Sequence, residues 1–364
     1  MLTQDEKVLK VLQQIPFVAA SYRKIVDALK DELSAEEVYL ALGTLVTEGK
    51  INMAMNSKGD PEYSIKWNPL VDEERKLIAR EFNKRFEEKT IFFPRYEGYV
   101  ANLDDNFVNN EYSEFYQSFK EFDNEYGYWH RNAKSGVVYP PKMHSLSAAN
   151  VLTYNVLAGL ELDPSQVEYA VEFEVIAAEP MRDRPEEISA PKTQFDAIVN
   201  YADAVDFVQG NFLEHFYQPF RQSMWAYQFG NRYLFDDEAA VEAWRNFTKK
   251  ANYVYFDGYQ VIKTLVAIYS DVLANPDDYK GKKVSLLNIN WNVSNESSFA
   301  NLAAFQKSYD EEARRAEAQL NEFLNTLPLP EGTTLTYQYL TVEEVAENLS
   351  DSVKEYVKNR YVGF

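Results

Sequence analysis

Two apolar stretches with strand period, residues 191–199 and 205–214, flank the polar turn Tyr201-Ala202-Asp203-Ala204. Strand-type residues on both sides of a short polar turn specify a β-hairpin. A hairpin this apolar cannot stand alone in water and demands cover from further strands and helices. With the turn centred on Ala202-Asp203, Asp196 lies opposite Gln209, and the period of two puts Asn211 on the face of Gln209. The expectation is one acid and two amides gathered at a single point of a sheet.

The surroundings of the hairpin supply the cover. Residues 167–175 alternate as a strand, and a helix over 151–160 precedes it, led in by Lys142-Met143-His144-Ser145-Leu146-Ser147. An Arg/Pro/Glu-rich loop, 181–190, connects that strand to the hairpin. Helical spacing follows over 239–249 and 259–270, then a strand over 284–291, a long amphipathic helix over 305–324 and a strand over 334–340. A last helix, 342–360, is broken near Asn348-Leu349-Ser350. Helices interleaved with strands predict an α/β domain over 141–364, a mixed sheet flanked by helices.

Residues 1–68 form a separable, winged-helix-like pattern. Val8, Leu9, Val11 and Leu12 mark a helix ending near Ile15-Pro16-Phe17, and Ser21 caps a second helix carrying Ile25, Val26 and Leu29. Ser34 with Glu37 three residues on starts a third helix that Gly49 stops. A strand–turn–strand over 50–65 completes three helices plus a hairpin. Such modules contact DNA through the third helix and the wing, or serve protein contacts and dimerisation. The third helix offers no Lys or Arg before Lys50, and the module holds eight Lys/Arg against ten Asp/Glu. Residues 69–140 read as a charged linker helix followed by an aromatic segment. There Tyr112, Phe115, Tyr116, Phe119 and Phe122 recur at helical spacing, a pattern of core packing.

Composition narrows the function classes. The 364 residues have a net charge of −20, which repels phosphate at long range, so nucleic-acid binding needs a local basic groove or bound metal. There is no cysteine, hence no disulfide frame or thiolate zinc site, and His130, His144 and His215 are far apart in the chain. No apolar run reaches membrane-spanning length and no secretory signal opens the chain, so the expected setting is cytoplasmic, without membrane contact. Walker-type phosphate loops, Gly-x-Ser-x-Gly elbows and His-Glu-x-x-His helices are absent. His215 reads as structural.

Metal-assisted phosphodiester cleavage needs carboxylates to hold Mg2+ and a cation near the scissile phosphate. A hairpin with Asp on one arm and Glu-x-Lys on the other aims all three at one phosphate. Four stretches follow that plan: Pro141-Lys142-Met143-His144-Ser145-Leu146-Ser147, Thr193-Gln194-Phe195-Asp196-Ala197, Val208-Gln209-Gly210-Asn211-Phe212-Leu213-Glu214 and Tyr259-Gln260-Val261-Ile262-Lys263. In this order and spacing the chain resembles the PD-(D/E)XK restriction-endonuclease-like superfamily, more narrowly a bacterial restriction-endonuclease family, over much of residues 140–295. The resemblance implies a restriction-endonuclease-like fold, Mg2+ as cofactor and DNA as partner. It makes Asp196 the metal-binding aspartate, with Gln209 where the family has Glu and Asn211 where it has Lys.

Both departures fall at consequential places. Gln209 lacks the anionic charge that binds Mg2+, and Asn211 cannot supply an ammonium. Glu174 on the preceding strand and Glu214 are the available replacement carboxylates, and Lys263 is a cation that could have migrated to the helix. The expected site is thus Asp196, Gln209, Asn211 and Lys263 for catalysis, with Asp196, Glu174 and Gln209 at the metal. The expected function is a nucleic-acid-associated protein in a restriction or bacterial-defence setting, with an impaired metal site. The rivals are an active Mg2+-dependent endonuclease with a rearranged site and an acidic, non-catalytic regulatory protein. A homodimer or another protein partner fits either non-catalytic reading.

Overall fold

The computed structural model describes residues 2–14, 20–48, 50–55, 59–65, 69–86, 91–93, 95–96, 98–132, 136–160, 162–174, 192–216, 238–251, 253 and 255–364. The sequence-expected helix end at Ile15-Pro16-Phe17, the Gly49 stop and the 181–190 loop lie outside these residues.

The N-terminal module contains α1 (Gln4–Gln14), β1 (Ala20–Ser21), α2 (Tyr22–Leu29), α3 (Ala35–Thr47), β2 (Ile51–Met55) and β3 (Pro61–Ile65). Its strands form an antiparallel sheet in the order β1-β3-β2. Both predicted caps form. Ser21 accepts from Lys24 N–H, and Ser34 and Glu37 make a reciprocal capping box, which satisfies amides that would otherwise be orphaned. Ile25, Val38, Leu42, Leu45 and Ile51 bury a core of the module's own.

The larger part is built around five strands: β4 (Val167–Glu174), β5 (Lys192–Asn200), β6 (Ala204–Asn211), β7 (Lys283–Asn290) and β8 (Thr334–Thr341). They lie side by side in the order β8-β7-β6-β5-β4. The pairs β4–β5 and β5–β6 are antiparallel, while β6–β7 and β7–β8 are parallel. Parallel neighbours need crossovers, and helices supply them. α7 (Glu238–Lys250) and α8 (Gly258–Ala274) lie between β6 and β7, and α9 (Ala300–Leu324) between β7 and β8. α6 (Ala149–Leu157) precedes the sheet, and α10 (Val342–Ala346) and α11 (Asp351–Tyr361) follow it. The structure is therefore a mixed α/β sheet with flanking helices.

The stretch expected to be a charged linker is more than that. In α4 (Pro69–Lys84), Val71, Ile78 and Phe82 are buried in the main core. Its Glu74 accepts from Asn301 N–H (2.8 Å) and Leu302 N–H (2.9 Å) at the start of α9, where a carboxylate opposes the positive end of the helix dipole. Of the aromatic stripe of α5 (Ser113–Phe122), Phe115 and Phe119 are core, as its spacing suggests, whereas Phe122 is exposed. Phe115 packs on Tyr154 of α6 and Tyr169 of β4, at ring separations of 4.9 and 5.1 Å.

Candidate functional site

The hairpin forms in the predicted register, and its side chains still part company. The β5–β6 ladder runs from Asn200↔Val205 to Ala197↔Val208, one step short of Asp196 and Gln209. On the other edge of β5, Tyr169 pairs with Ala197 and Val171 with Phe195, so Ala170 and Asp196 fall outside the paired positions. Ala170 has φ 55°, in the left-handed region. The register is the same on both sides of the gap, so no residue is inserted; the left-handed Ala170 breaks the ladder locally, and side chains re-aim there. Phe195 turns toward Phe207, with ring centroids 5.0 Å apart, and Phe207 shares a face with Gln209 by strand period. Its neighbour Asp196 points the other way.

Contacts on the two faces confirm the separation. The Asp196 Oδ2 accepts the Gly210 N–H at 2.7 Å and the Thr153 hydroxyl at 3.0 Å, so it looks toward α6. Gly210 has the same aspect, since a Cβ there would sit 2.3 Å from Thr153 Oγ1 and 2.7 Å from the Ala149 carbonyl. Gln209, one residue earlier, must face the opposite side. Its Nε2 donates to the Gln194 carbonyl (2.8 Å), and its Oε1 accepts from Thr264 Oγ1 of α8 (3.4 Å). Asn211 shares that face, and its amide donates to Asn288 Oδ1 (3.2 Å) and Asn290 Oδ1 (3.0 Å) on β7. The buried Asn290 in turn donates to Asn288, which makes a three-asparagine ladder across β6 and β7.

The expected cluster of one acid and two amides is therefore overturned. Asp196 serves α6, whereas Gln209 and Asn211 lie under α8. Lys263 belongs to α8 as well and is half-buried, with burial pulling its ammonium below the usual lysine range. Glu174 closes β4 opposite Lys192, and its side chain lies outside the described residues. Glu214 lies beyond the strand in a short 3-10 turn, Glu214–Phe216, near enough to Asp196 to repel it, and its Oε2 accepts the Phe212 N–H at 2.6 Å. Burial pushes the Asp196 carboxyl up to about 6; the Gly210 and Thr153 bonds oppose this and repulsion from Glu214 adds to it.

These facts decide how the residues suit Mg2+. A hairpin metal site needs Asp196 and the residue at 209 to converge on one ion, and here the sheet stands between them. Oδ2 of Asp196 is already committed to two donors. Among the described residues, no three Asp, Glu or His side chains gather closely enough to hold a metal ion. Among the described residues, the donor set does not fit the cofactor that the resemblance implies. His215 is buried, bonded through Nε2 to Gln306 (3.1 Å), and burial pulls it down to about 4, so it is neutral at physiological pH, as a structural residue would be. Among the described residues, no helix is long and apolar enough to cross a membrane.

Sequence reasoning missed Thr153, Thr264, Asn288 and Asn290. Two signals were available: a lone glycine inside the β6 strand pattern, which marks close backbone approach, and two asparagines spaced by two in an otherwise apolar strand. Fold and site together define an α/β protein with a mixed five-stranded sheet and an internally satisfied hairpin acid. No family model, curated protein or solved structure matches the chain.

Proposed function

We propose that this chain is a non-catalytic, nucleic-acid-associated binding protein on a restriction-endonuclease-like scaffold preceded by a winged-helix-like module. One observation carries the loss of catalysis: Asp196 bonds Gly210 and Thr153 on the α6 side, while Gln209 and Asn211 are held on the α8 side. The scaffold reading is supported by the succession of helix, hairpin and helix, with the four motif stretches falling just ahead of α6, in β5, at the end of β6 and at the start of α8. The module reading is supported by three helices and a hairpin in the order a winged helix uses. DNA as ligand rests on the resemblance.

Plasmid incubated with Mg2+ or Mn2+ should stay intact, and the Asp196→Ala chain should behave identically. Installing Gln209→Glu and Asn211→Lys together should also give no metal-dependent cutting, because both new side chains face α8 and not Asp196. Cleavage by the double variant, abolished by Asp196→Ala, would overturn the proposal. A mobility shift on duplex DNA at low salt, weakening steeply as salt rises, is the expected sign of nucleic-acid association.

A purely protein-binding reading has one observation of its own. The helix that would enter a DNA groove, α3, carries no Lys or Arg, and the whole chain stands at −20. Absence of any DNA shift at low salt would decide for it.

A further inference from the structure

The eight residues of β8, Thr334-Leu335-Thr336-Tyr337-Gln338-Tyr339-Leu340-Thr341, carry no charge, no proline and no glycine. β-Branched and aromatic side chains dominate them, which is the composition of a strand that pairs readily with copies of itself. The strand also lies at the rim of the sheet, next to β7 alone. Its parallel ladder with β7 is unbroken from Thr334↔Lys283 to Thr341↔Asn290. Lysine, proline and a bulge, the usual protections of a strand edge, are all missing from it.

Side chains of α9 supply the protection instead. The Thr334 N–H bonds toward β7, to the Lys282 carbonyl (3.1 Å), so the odd-numbered residues of β8 turn their peptide groups outward. Asn321 Nδ2 donates to the Tyr337 carbonyl (2.9 Å), and Asn321 Oδ1 accepts the Tyr337 N–H (2.8 Å). One carboxamide thus does what the peptide group of a neighbouring strand would do. A turn earlier in α9, Glu317 Oε1 accepts the Tyr339 N–H (3.4 Å) and Arg314 Nη1 donates to the Tyr339 carbonyl (2.5 Å). Glu344 of α10 accepts the Thr341 N–H (2.8 Å). Arg314 is itself fixed by Glu317 and Glu344 and lies over the Tyr339 ring. Four helical residues rise about 6 Å and two strand residues about 6.6 Å, so the helix keeps step with the outward groups.

We propose that α9 shuts the β8 edge against strand addition, and that the partner it excludes is β8 of a second copy. An uncharged strand has no like charge to repel its own copy, and a two-fold pairing sets like segment against like. The inference rests on α9 and β8 alone and not on the nucleic-acid reading.

Hydrogen exchange on the full chain tests the seal. The Tyr337 and Tyr339 amides should exchange slowly although no strand lies beyond them. Asn321→Ala should speed Tyr337 exchange about tenfold, roughly the worth of one hydrogen bond, while Leu286 in the middle of the sheet stays unchanged. Asn321→Asp keeps the acceptor and should keep the Tyr337 amide slow. Sedimentation velocity then reads the consequence. Asn321→Ala combined with Glu317→Ala should add an association that grows with concentration and is absent from the original chain. Adding Gln338→Lys, at an exposed position in the middle of β8, should reverse it, because two like charges then meet across the new pairing. If the double variant unfolds, seen as lost protection at Leu286, Asn321→Ala alone carries the association test. Fast Tyr337 exchange in the original chain overturns the proposal, as does equal speeding by Asn321→Asp and Asn321→Ala. An opened edge that leaves the mass unchanged, or an association indifferent to Gln338→Lys, overturns it too.

Discussion

Gly210→Ala should be the most damaging single-methyl addition in the sheet, costing about 3 kcal/mol or more of stability, the upper end for overpacking. A Cβ at this position meets Thr153 Oγ1 at 2.3 Å and the Ala149 carbonyl oxygen at 2.7 Å. The threonine could rotate away, but its hydroxyl would then leave the Asp196 carboxylate. The carbonyl belongs to the first turn of α6 and can move only with the helix. Relief therefore means lifting α6 off the sheet and opening a core that holds Val151, Leu152 and Val156, all fully buried. Urea unfolding of the two chains measures the loss. The companion Gly210→Ala/Thr153→Ala separates the two contacts: it should recover only part of the stability, because the backbone obstacle remains. A Gly210→Ala chain within about 1 kcal/mol of the original, less than the usual overpacking cost, would mean that α6 does not approach β6 this closely.

That close approach explains why the fold was legible in the sequence and the site was not. Element types follow from local chemistry that the sequence displays: the Ser34/Glu37 capping box, the strand period of the hairpin, and the break between α10 and α11 at Asn348-Leu349-Ser350. Even the register of the hairpin follows from its turn. The facing of Asp196 does not, because it depends on a break in the ladder opposite Ala170 and on a helix arriving from sequence-distant Ala149. A period-two extrapolation carried across a break in the strand's alternation inverts every later side chain. It set Asp196 beside Gln209 when the sheet divides them. Gly210 held the missing information, since an interior strand glycine marks a backbone that something else must approach. α4 misled for a different reason. Its many charges draw attention to the solvent side, while three apolar residues, Val71, Ile78 and Phe82, suffice to seat it in the main core.

If Asp196 is a structural acid enclosed without a cation, its ionisation should oppose folding, and Asp196→Asn should reveal this through pH. With the carboxyl at about 6 in the fold against 3.8 for an ordinary aspartate, both states hold the proton below pH 4 and both have lost it well above 6. Between those limits only the folded chain keeps it, so this group's contribution to stability falls as pH rises through the window. A difference of about two pH units corresponds to at most about 3 kcal/mol. In Asp196→Asn the carbonyl oxygen can take the place of Oδ2 and keep both the Gly210 and Thr153 bonds, since both run to that one atom. The variant should therefore gain stability relative to the original chain as pH rises from 4 to 7. Asp196→Ala should lose stability at every pH, because the Gly210 N–H is left without its acceptor. Asp206 and Asp310, also raised by burial, are common to these chains and cancel in the comparison, while relief of the repulsion between Asp196 and Glu214 adds to the gain of Asp196→Asn. Unfolding in urea at a series of pH values reads the difference directly, and millimolar Mg2+ should leave it unchanged. An aspartate arranged to hold a divalent ion would show the reverse sign with Mg2+ present, the carboxylate form favouring the fold and the amide destabilising it at neutral pH. That outcome would return Asp196 to metal chemistry.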